Sequence, residues 1–193
     1  MTILTSQSHP LRIDEAEPLS GWGLIGMSLC PGKQQTGARS GHWRRDLDLD
    51  INHIKAWGAK AVISLMEMQE LDELGVEDLP EKIWGLGMDW IHLPIVDQRA
   101  PDESFLRRWQ LFGTRIVTML EDGERIFIHC KGGLGRTGTI AACLLIESGM
   151  TSGAAIDTVR RVRSGTIETV EQERFVLEYR PRFRQGKVDG HAC

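Results

Sequence analysis

The chemistry of this chain is concentrated in one loop, His129-Cys130-Lys131-Gly132-Gly133-Leu134-Gly135-Arg136-Thr137-Gly138. Glycines at 132, 133 and 135 permit backbone conformations that other residues avoid, so successive N–H groups can turn into one concavity. The loop runs into the start of a helix, which adds unpaired N–H donors and a partial positive charge. The backbone of Lys131, Gly132, Gly133, Leu134 and Gly135 therefore reads as a cradle for a tetrahedral dianion. Arg136 closes it with a planar guanidinium that can grip two phosphate oxygens. Thiols at helix N-termini and beside cations ionise readily, and a thiolate held against phosphorus is a nucleophile in position, which is the role expected of Cys130. Thr137 can donate its hydroxyl to the sulfur and ease its departure in a second step. His129 is expected to orient the loop by hydrogen bonds. Lys131 either adds positive potential at the rim or points to solvent.

A cysteine five residues ahead of an arginine is weak evidence alone. Specificity comes from the apolar run Ile126-Phe127-Ile128 before the loop, the glycines within it and the Arg136-Thr137-Gly138 that opens a helix. The other glycine-rich phosphate loop, GxxxxGK[ST], is absent. A glycine-rich turn with an inert buried cysteine is the bland alternative.

The elements around the loop follow from periodicity. Trp22–Leu29, Ala61–Leu65, Trp90–Val96 and Ile126–Cys130 read as strands. Leu47, Ile51 and Ile54 recur at helical spacing, and two short helical pieces fit between Met68 and Gly87. Phe105, Trp109, Phe112, Ile116 and Leu120 mark a long helix with Asp102 as N-cap and Gly123 as its stop. Further helices are expected at about 136–148, 152–163 and 169–183. Residues 1–18 read as a flexible N-terminal arm, 19–184 as the domain and 185–193 as a short tail, with a mobile loop over 32–41. Strands alternating with helices predict a single α/β domain, its mainly parallel central sheet covered by helices on both faces. The loop would then lie at the carboxyl end of a buried strand, where such sheets place ligands.

Bulk properties narrow the partners. With 27 acids against 23 bases the net charge is −4, which gives no electrostatic reason to expect nucleic acid or a membrane surface. Local arginine clusters, such as Arg44–Arg45 and Arg160–Arg161–Arg163, read as solvated helix faces. Cys30, Cys130, Cys143 and Cys193 lack metal-site spacing, so no metal or cofactor is expected. Cys143 falls in an apolar helix and reads as core, while Cys30 is either a loop cysteine or a redox partner of Cys130. No apolar run approaches the ~18 residues of a membrane span, and the acidic first thirty residues predict no secretory leader. A cytoplasmic protein is the default.

His129 to Gly138 resembles the signature loop of the protein tyrosine and dual-specificity phosphatase superfamily. Within it, residues of about 21–182 are similar to the cyclin-dependent-kinase-associated phosphatase family. Leu29-Cys30-Pro31-Gly32, Leu93-Pro94-Ile95-Val96-Asp97 with Pro101-Asp102, Ala141-Ala142-Cys143-Leu144-Leu145 and Arg163-Ser164-Gly165-Thr166-Ile167-Glu168-Thr169 with Gln172 carry that resemblance. Lys131 departs from it, standing where that family has an aromatic residue, and Thr137 replaces a serine. The resemblance implies Asp97 as general acid, where position alone leaves a turn residue equally open. Asp102 is the rival, better suited to a cap. It also implies that Gln172 positions the hydrolytic water, against an ordinary helix glutamine. The expected function is metal-independent hydrolysis of phosphoserine, phosphothreonine or phosphotyrosine in proteins through a phosphocysteine. A phosphoinositide or other small phosphoester is the alternative substrate, disfavoured by Leu134 where lipid-directed relatives carry a base. A phosphate-binding module without turnover and a rhodanese-type sulfur transferase are the remaining rivals.

Overall fold

A computed structural model describes residues 3–38 and 40–183; the expected tail over 185–193, including Cys193, lies outside the described residues. In chain order the elements are β1 (Ile3–Leu4), β2 (Asp14–Ala16), β3 (Ile25–Leu29), β4 (Gln34–Ala38), β5 (Gly41–Arg44), α1 (Leu47–Trp57), β6 (Ala59–Ser64), α2 (Met68–Glu73), α3 (Leu79–Gly85), β7 (Asp89–His92), α4 (Glu103–Glu121), β8 (Arg125–Cys130), α5 (Gly135–Glu147), α6 (Ser152–Val162) and α7 (Val170–Glu178). The central sheet has the order β2-β3-β8-β6-β7. All its pairs are parallel except β2 with β3, so the expected α/β class with a mainly parallel sheet holds. β8 lies between β3 and β6, and five of its six residues are buried, as its unbroken apolar run requires.

The helices form where the apolar spacing put them. In α4, Phe105, Trp109, Ile116 and Leu120 are buried on one stripe, and the Asp102 side chain caps the helix by accepting from the Phe105 N–H at 2.8 Å. α5 is buried at every position, consistent with its nearly continuous apolar sequence, and packs on β8 and β3. α6 and α7 pack on α5, α4 on β8, and α1 on β6.

Four boundaries differ from the sequence expectation. Part of the supposed flexible arm is built into sheets: β2 pairs with β3, with Asp14 and Ala16 buried, and β1 pairs with β5. The supposed mobile loop over 32–41 is largely strand, since β4 pairs with β5 to form a second, three-stranded sheet. The strand expected over 90–96 ends at His92, although Leu93 and Ile95 still donate to the carbonyls of Ser64 and Leu65. α7 stops at Glu178 because Pro181 disfavours helix in the residue before it, and the Arg182 and Phe183 N–H groups instead bond the buried Glu147 carboxylate at 2.9 to 3.1 Å. No helix among the described residues is long and apolar enough to cross a membrane.

Candidate active site

Parallel register brings three strand ends to one rim of the sheet. Leu29 of β3 stands opposite Cys130, and Ser64 of β6 stands opposite His129. Cys130 is buried at the end of β8, and the Gly133 N–H donates to its Sγ at 3.2 Å. Gly133 has φ +71°, and a Cβ there would lie 2.2 Å from the Ser28 carbonyl oxygen, so both conformation and space demand glycine. Gly132 by contrast faces open space. At Gly135 the constraint is close approach, since a Cβ would meet Glu168 Oε2 at 2.6 Å and the Gln172 amide at 2.9 Å. The Gly135 N–H donates to that Glu168 carboxylate at 2.8 Å. Leu134 occupies the N-cap of α5, and its carbonyl accepts from Gly138 at 2.8 Å.

Arg136 is buried in the first turn of α5, its guanidinium held on three sides. Glu70 of α2 grips it bidentately, at 2.6 Å to Nη1 and 2.9 Å to Nη2. The Ile95 carbonyl accepts from Nη1 at 3.0 Å, and Asp97 Oδ1 lies 2.8 Å from Nη2. Nε is buried without a partner. Burial alone would lower the Arg136 pKa, but Glu70, Cys130 and Asp97 outweigh it and raise the value, so the group stays cationic.

Asp97 is about half exposed and sits in a tight turn closed by Arg99 N–H to Val96 C=O at 3.0 Å. Gln98 in that turn has φ +60°, a strained conformation for a residue other than glycine. Asp97 and Arg136 are thus brought together, whereas Asp102 is committed to the α4 cap. Gln172 is fully buried beside Gly135. Its Oε1 accepts from the Glu168 and Thr169 N–H groups at 3.0 and 3.3 Å, and its Nε2 donates to the Arg99 carbonyl at 3.1 Å. It therefore links the start of α7 to the Asp97 turn.

His129 is buried, with Nε2 2.6 Å from the Ser64 hydroxyl, which accepts from the Trp90 indole N–H at 2.8 Å. The hydroxyl can accept from the indole and still either donate to or accept from Nε2, while Nδ1 is buried without a hydrogen-bond partner. Burial, with Arg136 adding to it, lowers the His129 pKa to about 3. The ring is then a neutral spacer between β8 and β6. The Thr137 hydroxyl is buried without a hydrogen-bond partner.

Two charged side chains at the site gave no sequence signal of their role. Glu70 is one acid among several in Glu67-Met68-Gln69-Glu70, and nothing in its spacing points to Arg136. Lys33, in the segment read as a mobile loop, is buried and donates to the Lys131 carbonyl at 3.2 Å. Burial holds its ammonium pKa below the usual value, and Cys30, Cys130 and Asp97 are the neighbours that favour its charge. The Pro31-Gly32 turn that follows β3 and Cys30 brings Lys33 back to the loop. Cys30 and Cys130 are both free thiols, and burial pushes the Cys30 pKa up strongly, keeping it a neutral thiol.

This arrangement offers a thiol, a backbone cradle, a guanidinium and a carboxyl group at one rim. Residues 42–176 match the family model described as Swiss Army Knife protein, DSP-PTPase phosphatase domain. The chain is 32% identical over 163 residues to cyclin-dependent kinase inhibitor 3 of Rattus norvegicus, covering 83% of this chain and 73% of that protein. It is 30% identical over 142 residues to protein tyrosine phosphatase type IVA 3 of Homo sapiens, covering 73% of this chain and 76% of the relative. A crystal structure of kinase associated phosphatase, with its catalytic-site cysteine replaced by serine, superimposes with a TM-score of 0.75 at 26% identity. That match covers 86% of this chain and 92% of the other.

Proposed function

This chain belongs to the dual-specificity and protein tyrosine phosphatase superfamily, and on that premise we propose that it dephosphorylates phosphoproteins through a phosphocysteine on Cys130. The observation that carries the proposal is the Cys130 sulfur beneath a glycine loop whose Gly133 N–H reaches it at 3.2 Å, with Arg136 and Asp97 paired beside it. In this reading the loop N–H groups other than that of Gly135, which Glu168 takes, and Arg136 hold the phosphoryl oxygens while the Cys130 thiolate attacks phosphorus and the ester oxygen departs. Asp97 protonates that oxygen and then accepts a proton from the water that attacks the phosphocysteine. The sulfur leaves, Thr137 donating its otherwise unpartnered hydroxyl to it, and phosphate is released. Gln172, tied to the Asp97 turn, and the Lys33 ammonium, bonded to the Lys131 carbonyl, complete the wall of the site.

A protein substrate is favoured over a small phosphoester by the relatives, whose names specify kinase association and protein tyrosine phosphatase activity. The test compares kcat/KM on phosphothreonine, phosphoserine and phosphotyrosine peptides with that on soluble phosphoinositide headgroups. Peptide hydrolysis that is faster and lost in Cys130→Ser supports the proposal. Headgroup hydrolysis that outruns every peptide would overturn the substrate assignment.

A further inference from the structure

Behind the loop, on the side away from Cys130, a second guanidinium holds the backbone. Arg163, from the end of α6, is largely buried rather than part of a solvated cluster. Its Nε donates to the Gly133 carbonyl at 2.6 Å and its Nη2 to the Gly132 carbonyl at 3.1 Å. The remaining arm, Nη1, meets Asp14 Oδ2 at 2.6 Å, and Asp14 Oδ1 accepts from Arg12 Nε at 2.6 Å. Asp14 itself is fixed by β2, whose register pairs it with Met27.

The consequence follows from peptide geometry. In a trans peptide the C=O and N–H point in opposite directions, and the described chain contains no cis peptide. Holding the Gly132 carbonyl outward turns the Gly133 N–H inward, where it meets Cys130 Sγ. Holding the Gly133 carbonyl outward turns the Leu134 N–H inward in the same way. The one guanidinium shared by both carbonyls also polarises the two peptides and strengthens their N–H groups as donors.

We propose that Asp14 and Arg163 are positioning residues for this reaction: Asp14, from an N-terminal strand that precedes the matched family region, locks the Arg163 fork that aims two loop N–H groups at the transferring phosphoryl group. The inference rests on the reading of the loop as a phosphate cradle. Arg163 acts on substrate only through the peptides it holds, and Asp14 acts only through Arg163. The strand β2 is then part of the catalytic apparatus.

The test is a double-mutant cycle on an aryl phosphate, read as kcat/KM, the inhibition constant of orthovanadate and the thermal midpoint. Donors aimed at transition-state charge are worth about 10²–10³-fold, so partial misalignment in Arg163→Gln is expected to lower kcat/KM and vanadate affinity by roughly 10- to 100-fold. Asp14→Asn is expected to cost about tenfold in the wild-type background and less than about twofold in Arg163→Gln, because residues acting as one unit are not additive. Arg163→Lys should recover little, as an ammonium cannot span two carbonyls. Fully additive losses, or an Asp14→Asn enzyme with wild-type kcat and vanadate affinity, would overturn the relay. If Asp14→Asn does not fold, Arg163→Lys carries the test: unchanged vanadate affinity in the folded variant would overturn it, and weakened affinity at an unchanged midpoint would support it. A wild-type protein without phosphatase activity would instead refute the underlying reading of the loop.

Discussion

Arg136 has five N–H donors, and most are engaged by the protein itself. Nη1 serves Glu70 and the Ile95 carbonyl, Nη2 serves Glu70 and Asp97, and Nε alone is unpartnered. A phosphate gripped through Nε and Nη2 must therefore displace the Asp97 carboxylate, which frees it to serve the leaving group. Asp97→Asn is expected to bind inorganic phosphate or vanadate more tightly, because a competing charge is gone. The same variant should lose about 10²–10⁴-fold in kcat on phosphothreonine peptides, with a loss that shrinks on esters of strongly acidic phenols. Equal losses on all leaving groups, with unchanged phosphate affinity, would contradict the acid role. His129 makes a prediction about stability. Its folded pKa of about 3 lies below the usual 6.5, so the unfolded chain binds the extra proton between those values. The stabilising contribution is complete above pH 6.5 and is lost as pH falls towards 3. At one pKa unit per 1.36 kcal/mol, acidification to pH 5 should cost roughly 2 kcal/mol from this residue. Urea titrations across that range in wild type and His129→Asn should differ in slope; equal slopes would show that His129 does not carry the effect.

At the scale of elements, the site depends on how closely the loop can approach β3. Gly133 combines φ +71° with a Cβ position 2.2 Å from Ser28 O, so Gly133→Ala is expected to destabilise by at least about 1–2 kcal/mol and to abolish most activity. Gly132→Ala, which meets open space, is the control and should change stability by less than about 0.5 kcal/mol. Denaturant midpoints for the pair decide the matter; equal effects would remove the close-approach argument. The loop, β8 and α5 were legible in the sequence because each carries a local signal: an apolar run, glycines and a helical apolar pattern. β2 and β4 were not, because Asp14-Glu15-Ala16 and Gln34-Gln35-Thr36-Gly37-Ala38 have neither β-branched runs nor alternation. They are strands through pairing with neighbours, which only the folded chain supplies.

Across the whole molecule, what the sequence concealed is what lies far apart along it. Glu70 and Arg136 are 66 residues apart, Lys33 and Lys131 98, and Asp14 and Arg163 149. Each pair meets because the central sheet brings distant segments side by side and the helices return over them, so no local pattern could name the partners. The chain's last described residues are tied in similarly. Buried Glu147 accepts from the Tyr179 hydroxyl at 2.5 Å and from the Arg182 and Phe183 N–H groups, while Trp109 Nε1 donates to the same hydroxyl at 2.9 Å. This joins α4, α5 and the segment after α7 into one unit. Tyr179→Phe strands the Trp109 donor and weakens the pairing of Glu147, so it should cost about 1–3 kcal/mol by chemical denaturation. kcat should stay within about twofold of wild type, since the cluster does not touch the loop. A stability unchanged by the substitution would mean that the cluster contributes nothing to the fold.

The central claim is that phosphate passes through Cys130, and rapid-quench trapping of the enzyme tests it most directly. Wild-type protein and Asp97→Asn would be mixed with a substrate labelled in its phosphoryl group, quenched within the first turnover, digested and analysed by mass spectrometry. The expected result is one phosphoryl group on the peptide containing Cys130, formed at least as fast as steady-state turnover and absent from Cys130→Ser. Turnover without that adduct, or a Cys130→Ser enzyme that retains activity within tenfold of wild type, would contradict the covalent mechanism.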